Sequence, residues 1–215
     1  EPEPLEELLE ICREHGVLTI ADEVMTGFGR TGKLFACEHL KNQPDIFCFS
    51  KGITGGVMPF GATTCTEAVY NAFLSGDRMK TFFHGHSFTA NPLACVASLA
   101  SMDLLQKEET RENMARIARQ HQGFASEIEK HPRVKEVRCR GTIVALEWET
   151  GGGTSYFSGL RDRLYSFFLE KGIILRPLGN IIYIMPPYCS TAEELNFVYE
   201  TIKLALNELD GEPAR

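Results

Sequence analysis

Asp45-Ile-Phe-Cys-Phe-Ser-Lys-Gly-Ile-Thr-Gly-Gly56 decides how the rest of the chain is read. Pro44 precedes it, and the run from Ile46 to Phe49 is short, apolar and rich in β-branched and aromatic residues, which favours a buried strand over a helix. Lys51 follows that strand and opens a glycine-rich loop. In an open α/β sheet the ligand crevice lies beyond the carboxyl ends of the strands, where this lysine falls. Upstream, Val17-Leu-Thr-Ile-Ala21 reads as a second strand ending on Asp22 and Glu23, so two neighbouring strands deliver a carboxylate and an amine to one place. On residue type alone Lys51 is a surface lysine with a snorkelling stem, and Asp22 a strand-terminal turn residue. The hydrophobic strand before Lys51 and the Gly55-Gly56 pair after it favour a desolvated, nucleophilic amine instead. An amine beside a carboxylate suits a cofactor with a carbonyl and a basic nitrogen.

The 215 residues, 43% of them hydrophobic, suffice for one large domain, or a domain and a half, with a true core. A formal charge of −7, with no cluster of five or more Lys and Arg, argues against a nucleic-acid or anionic-membrane surface. Small molecules and other protein chains are the expected partners. The seven cysteines are odd in number and form no C-x-x-C pair, so they read as reduced thiols. No apolar stretch reaches spanning length and no basic-then-apolar leader opens the chain, from which a cytoplasmic location is expected. The opening Glu1-Pro-Glu-Pro4, without a methionine, suggests a processed product or a fragment.

Leu5, Leu8, Leu9 and Cys12 are spaced for a helix over Leu5–His15, with Gly16 as its C-terminal cap. A loop with a short helix is expected over 25–40, a third strand over Phe60–Thr66, a turn or two of helix over Glu67–Leu74, and a long helix from Pro92 to Leu105. Composition turns charged between about Gln106 and Glu112, and a domain boundary is placed there. Beyond it the pattern predicts a helix, strands at Val134–Val137 and Thr142–Trp148, and a helix over Tyr156–Lys171. An antiparallel pair, Ile173–Arg176 with Ile181–Met185, follows, then a final helix over Thr191–Leu209 opened by the capping box Thr191-Ala-Glu-Glu194. Arg176 then stands as a cation after a buried strand, costly unless it receives a carboxylate.

Two motif matches carry little. Gly27-Phe-Gly-Arg-Thr-Gly32 fits G-x-G-x-x-G, but Asp22–Thr26 intervene between strand and glycines, and Leu34 replaces the hydroxyl that a P-loop needs after Lys33. His84 and His86 flank Gly85 without a third ligand at suitable spacing, so no metal site is expected.

Taken together, Ile20-Ala-Asp-Glu-Val-Met-Thr-Gly-Phe-Gly-Arg-Thr-Gly32, Ser50-Lys-Gly-Ile-Thr-Gly-Gly56 and His84-Gly-His-Ser-Phe-Thr-Ala-Asn-Pro-Leu-Ala94 resemble the class III pyridoxal-phosphate aminotransferases. Leu34-Phe-Ala-Cys-Glu-His39 and Arg176–Pro187 are most similar to members of biotin synthesis, which pass an amino group from S-adenosylmethionine to 8-amino-7-oxononanoate. The resemblance implies an α/β fold of PLP-dependent transferase fold type I, aspartate-aminotransferase-like and partial. Residues 1–110 then form the C-terminal part of the large cofactor domain with the start of the interdomain helix, and residues 111–215 the small α+β domain. It implies pyridoxal 5'-phosphate as cofactor, Lys51 as the lysine that joins it and shuttles a proton, and Asp22 as the partner of its pyridine nitrogen.

Gly85, His86 and Ser87 match the loop reaching the phosphate in the neighbouring subunit of a homodimer, His86 and Ser87 toward the cofactor and Gly85 toward the substrate. Ser87 departs from the usual threonine but keeps the hydroxyl. Arg176 matches the residue receiving the substrate carboxylate, and Tyr183 lines the same pocket. The family's phosphate-cradling glycine turn and ring-stacking aromatic have no match here. Another class III ω-transaminase, using ornithine, 4-aminobutyrate or a similar amine, is the nearest alternative. A fragment or structural subunit without activity is the alternative of another kind.

Overall fold

The apolar spacing of Leu5, Leu8, Leu9 and Cys12 does form a helix, α1, Pro2–Glu14, in a computed structural model that describes residues 2–150 and 159–209. The Val17 amide donates to the Cys12 carbonyl at 2.8 Å and the Gly16 amide to Arg13 at 3.1 Å, the paired bonds that end a helix on a left-handed glycine. Contacts divide the chain into two compact units, Glu1–Glu108 and Glu109–Arg215.

The first unit is built on a three-stranded sheet of β1 (Ile20–Asp22), β2 (Ile46–Phe49) and β3 (Ala62–Cys65) in that order. β1 runs parallel to β2 with Asp22 opposite Cys48, and β3 returns antiparallel. Asp45 fixes the register, its Oδ2 accepting the Thr19 amide at 2.8 Å and the Thr19 hydroxyl at 2.9 Å. Two expectations need correcting. The first strand starts at Ile20 rather than Val17, and β2 is only half-buried along its length. The cause is sparse cover: β1 is an edge strand among the described residues, Ile20 is 65% exposed, and no residue of α1 is buried. The short helix α2 (Glu67–Asn71) and the longer α3 (Pro92–Leu105) complete this unit. The Asn91 side chain caps α3 by accepting the Leu93 amide at 3.0 Å.

The second unit holds a closed core. Helix α4 (Glu108–Ile128) starts at the division between the units. β4 (Val134–Arg140) and β5 (Ile143–Trp148) form a hairpin longer than expected, and β6 (Ile181–Ile184) pairs antiparallel with the other side of β5. Val144, Leu146 and Trp148 on β5 and Ile182 and Ile184 on β6 alternate inward. Ile117, Phe124 and Ile128 of α4 meet them, with Leu160, Leu164 and Phe168 of α5 (Leu160–Glu170) and Leu195, Tyr199, Ile202 and Leu206 of α6 (Ala192–Glu208). The Thr191–Glu194 capping box forms in both directions. Ile173–Arg176 is not a strand: Ile173 packs into the core, and β6 has β5 as its partner instead. Of the helix expected from Tyr156, residues 156–158 lie outside the described residues. No described helix is long and apolar enough to cross a membrane.

His121 on α4 is fully buried in this core, its Nε2 3.2 Å from the Thr142 carbonyl and its Nδ1 2.7 Å from the Tyr199 hydroxyl. A carbonyl only accepts, so Nε2 carries the proton and Nδ1 accepts from the tyrosine, leaving the neutral ring satisfied. Burial pulls the imidazole down to about 4 from 6.5. The unfolded chain therefore binds a proton that the folded chain refuses, and stability is complete above pH 6.5 and declines as pH falls from there toward 4. The expected loss is about 3 kcal/mol, at 1.36 kcal/mol per unit. Urea midpoints between pH 7.5 and 4 test this, and the slope should flatten by that amount in His121→Gln. An unchanged slope would remove His121 from the acid response.

Candidate active site

Sheet topology brings Asp22 and Lys51 to the same end of two paired parallel strands: Asp22 closes β1 opposite Cys48, and Lys51 lies three residues beyond Cys48. Both side chains are exposed, so the desolvation expected of the amine is not supplied by this chain's own described residues. Asp22 Oδ1 accepts the Val24 amide at 3.0 Å, which aims the carboxylate past the strand end. Its Oδ2 and the Lys51 amine have no partner among the described residues.

Lys51 has a left-handed backbone, φ +44°, a conformation that costs a non-glycine residue roughly 1–2 kcal/mol. It opens a 3₁₀ turn, Lys51–Thr54, closed by Gly55 at φ +62°. The Gly56 amide returns to the Lys51 carbonyl at 3.2 Å, and the Ser50 hydroxyl before the turn donates to Phe60 at 2.7 Å. Gly52 is required by contact: a Cβ there would sit 2.7–2.9 Å from Phe28. Strained backbone held this firmly is characteristic of functional positions.

Glu23 is the residue whose importance sequence reasoning passed over. Side chains alternate along a strand end, so Asp22 facing out turns Glu23 inward, where it is only 2% exposed. Its Oε1 accepts the Cys37 amide at 2.7 Å and its Oε2 the Thr26 hydroxyl at 2.5 Å. This anchors the Thr26–Phe35 turn, where Phe28, Phe35 and Phe49 cluster with ring centres 4.9–6.2 Å apart. Burial first, and then the Glu23 carboxylate, push the Cys37 thiol up to about 11, so it stays protonated. No α-helix opens after Gly32; a four-residue 3₁₀ turn, Ala36–His39, follows, which is unlike a phosphate-binding loop.

Gly85, His86 and Ser87 lie in a fully exposed loop of the first unit. His86 shapes it: its amide donates to Thr89 Oγ1 at 3.2 Å, and its Nδ1 accepts the Phe88 amide at 3.1 Å. The Ser87 hydroxyl has no partner among the described residues. Arg176 and Tyr183 belong to the second unit. Arg176 is exposed on irregular chain rather than buried after a strand, so the burial argument for its role fails, and Tyr183 is half-buried on β6. Among the described residues no three His, Cys, Asp or Glu side chains gather to hold a metal ion.

A carbonyl-bearing cofactor with a ring nitrogen fits the unpartnered amine and carboxylate oxygen at this sheet end. The profile of the family described as Aminotransferase class-III matches residues 1–206. Adenosylmethionine-8-amino-7-oxononanoate aminotransferase of Synechococcus elongatus is 42% identical over 97% of this chain and 48% of its own. The crystal structure of the enzyme of that name from Methanocaldococcus jannaschii superposes with a TM-score of 0.86 at 36% identity, over 96% of this chain and 49% of that one. The omega transaminase from Pseudomonas jessenii in complex with PMP gives a TM-score of 0.85 at 27% identity, over 94% and 46%. The chain thus spans about half the length of the relatives it matches, on their C-terminal side, and its fold is part of the PLP-dependent transaminase fold. On this profile and these identities, the chain belongs to the class III aminotransferases.

Proposed function

We propose that this chain provides the lysine-bearing part of a PLP-dependent transaminase of biotin biosynthesis, which moves an amino group from S-adenosylmethionine to 8-amino-7-oxononanoate and yields 7,8-diaminononanoate. The observation that carries the reading is the placement of Asp22 and Lys51 at the carboxyl ends of paired parallel strands. When bound, pyridoxal 5'-phosphate supplies a carbonyl that condenses with amines and a protonated ring that accepts the electron pair of a broken C–H bond. Lys51 Nζ holds the cofactor and moves the proton between neighbouring carbons, acting as general base and then acid. Asp22 Oδ2 keeps the ring nitrogen protonated. His86 and Ser87 supply donors to the phosphate of a partner subunit, Gly85 leaves room for substrate beside them, Arg176 receives the substrate carboxylate, and Tyr183 lines the same pocket.

In this reading residues 1–110 are the C-terminal part of the large domain and 111–215 the small domain. The working form is a homodimer with sites at the subunit interface, placed in the cytoplasm, where the seven free thiols would stay reduced. A second reading is an ω-transaminase using ornithine or 4-aminobutyrate; both carry a carboxylate, so Arg176 serves either reading alike. Donor competition in the complete polypeptide separates them. S-adenosylmethionine is expected to support diaminononanoate formation faster than ornithine, 4-aminobutyrate or a simple ω-amine. Faster turnover with ornithine, 4-aminobutyrate or an amine that lacks a carboxylate would sink the biotin-pathway reading.

A further inference from the structure

Lys51 cannot keep its left-handed backbone through its own chemistry, because a lysine gains nothing there that a glycine would not have more cheaply. The hold must come from what touches the turn. Two residues distant in sequence do so. The Phe28 ring lies against Gly52, near enough to exclude a Cβ, and Phe28 is itself 6% exposed and packed on Phe35 and Phe49. From α3, the Ser101 hydroxyl donates to the Gly52 carbonyl at 3.1 Å, and the same oxygen lies 3.5 Å from where a Cβ of Gly55 would be. The Gly52 carbonyl also accepts the Gly55 amide at 3.1 Å, so both its lone pairs are used, one within the turn and one by the helix.

We propose that Ser101 is a positioning residue for Lys51, tying the lysine turn to α3 while Phe28 blocks its collapse toward the Gly27–Gly32 turn. The purpose assigned to this tie rests on the reading of Lys51 as the reactive amine, since misplacement by about an ångström weakens a reacting group on the order of a hundredfold. Helix α3 carries a second serine that serves as control: Ser98 donates to Ala94 of its own helix at 2.8 Å and not to the turn.

The test uses the complete polypeptide with Ser101→Ala, Ser101→Thr and Ser98→Ala. Amide hydrogen exchange over residues 52–56, without cofactor, reads the turn directly. Borohydride trapping with pyridoxal 5'-phosphate, followed by peptide mapping over a range of pH, reads the share of label on Lys51 against Lys33 and Lys80. Ser101→Ala is expected to speed exchange roughly three- to tenfold, the worth of one net hydrogen bond, and to shift label from Lys51 toward the other lysines. Ser101→Thr keeps the hydroxyl and should restore both, and Ser98→Ala should change neither. Exchange and labelling unchanged in Ser101→Ala would overturn the proposal while leaving Lys51 as the reactive amine. Absence of label on Lys51 in the unsubstituted complete polypeptide, with the exchange difference intact, would uphold the tie and sink the functional reading.

Discussion

Lys51→Ala in the complete polypeptide is expected to lower transamination by at least roughly 10⁴-fold, the upper range for loss of a general acid–base group. The side chain is exposed and makes no hydrogen bond or ion pair among the described residues, so its removal should shift stability by no more than about 0.5 kcal/mol. A large kinetic effect without a stability effect is the mark of a group kept for chemistry. Lys51→Arg sharpens the test. Arginine keeps the positive charge but stays protonated at any working pH, so it neither attacks a carbonyl nor removes a proton, and it should be as inactive as alanine. If Lys51 served only as a cation for a phosphate or carboxylate, arginine would retain most of the activity. That result, or borohydride label mapping to Lys33 or Lys80, would overturn the assignment.

The sequence showed the ends of this site more clearly than the scaffold beneath it. The run Ile46–Phe49, bounded by Pro44 and Lys51, was legible because a short apolar stretch flanked by breakers has few alternatives to a strand, and Gly16 and the Thr191–Glu194 box were legible because caps act locally. The burial of β2 is less than its sequence suggests, because apolar composition records what a strand is suited to meet, and all four of its residues are only half-buried among the described residues. Ile173–Arg176 was misread because Ile173 packs into a helix-lined core, and a short apolar run gives no sign of whether packing or pairing claims it. The Phe28–Gly52 contact and the Ser101 tie join residues 24 and 49 positions apart, and no local pattern announces such contacts. Glu23 alone left a readable trace, since adjacent carboxylates at a strand end must face opposite ways.

Asp22→Asn is expected to slow turnover by about 10³-fold, roughly 4 kcal/mol at the transition state, with the fold intact. The fold survives because the Asp22 bond that matters locally is accepted by Oδ1 from the Val24 amide, and an asparagine carbonyl oxygen accepts it equally well. What is lost is the charge on Oδ2, which alone makes a proton on the cofactor's ring nitrogen favourable; a neutral amide offers that nitrogen a hydrogen bond without the attraction that fixes its ionisation. Lys51 would then pull a proton from a carbon whose electron pair has nowhere stable to go. Glu23→Gln supplies the opposite signature. Its carboxylate accepts the Cys37 amide and the Thr26 hydroxyl in a buried place; a glutamine keeps the first bond through its carbonyl oxygen and makes the second by donating to the Thr26 oxygen, so charge assistance is lost, at a cost of about 1 kcal/mol of stability. Urea midpoints and single-turnover rates on both variants separate the two roles. Near-normal turnover in Asp22→Asn would remove Asp22 from the chemistry, and a rate loss in Glu23→Gln larger than its stability loss would transfer the role to Glu23.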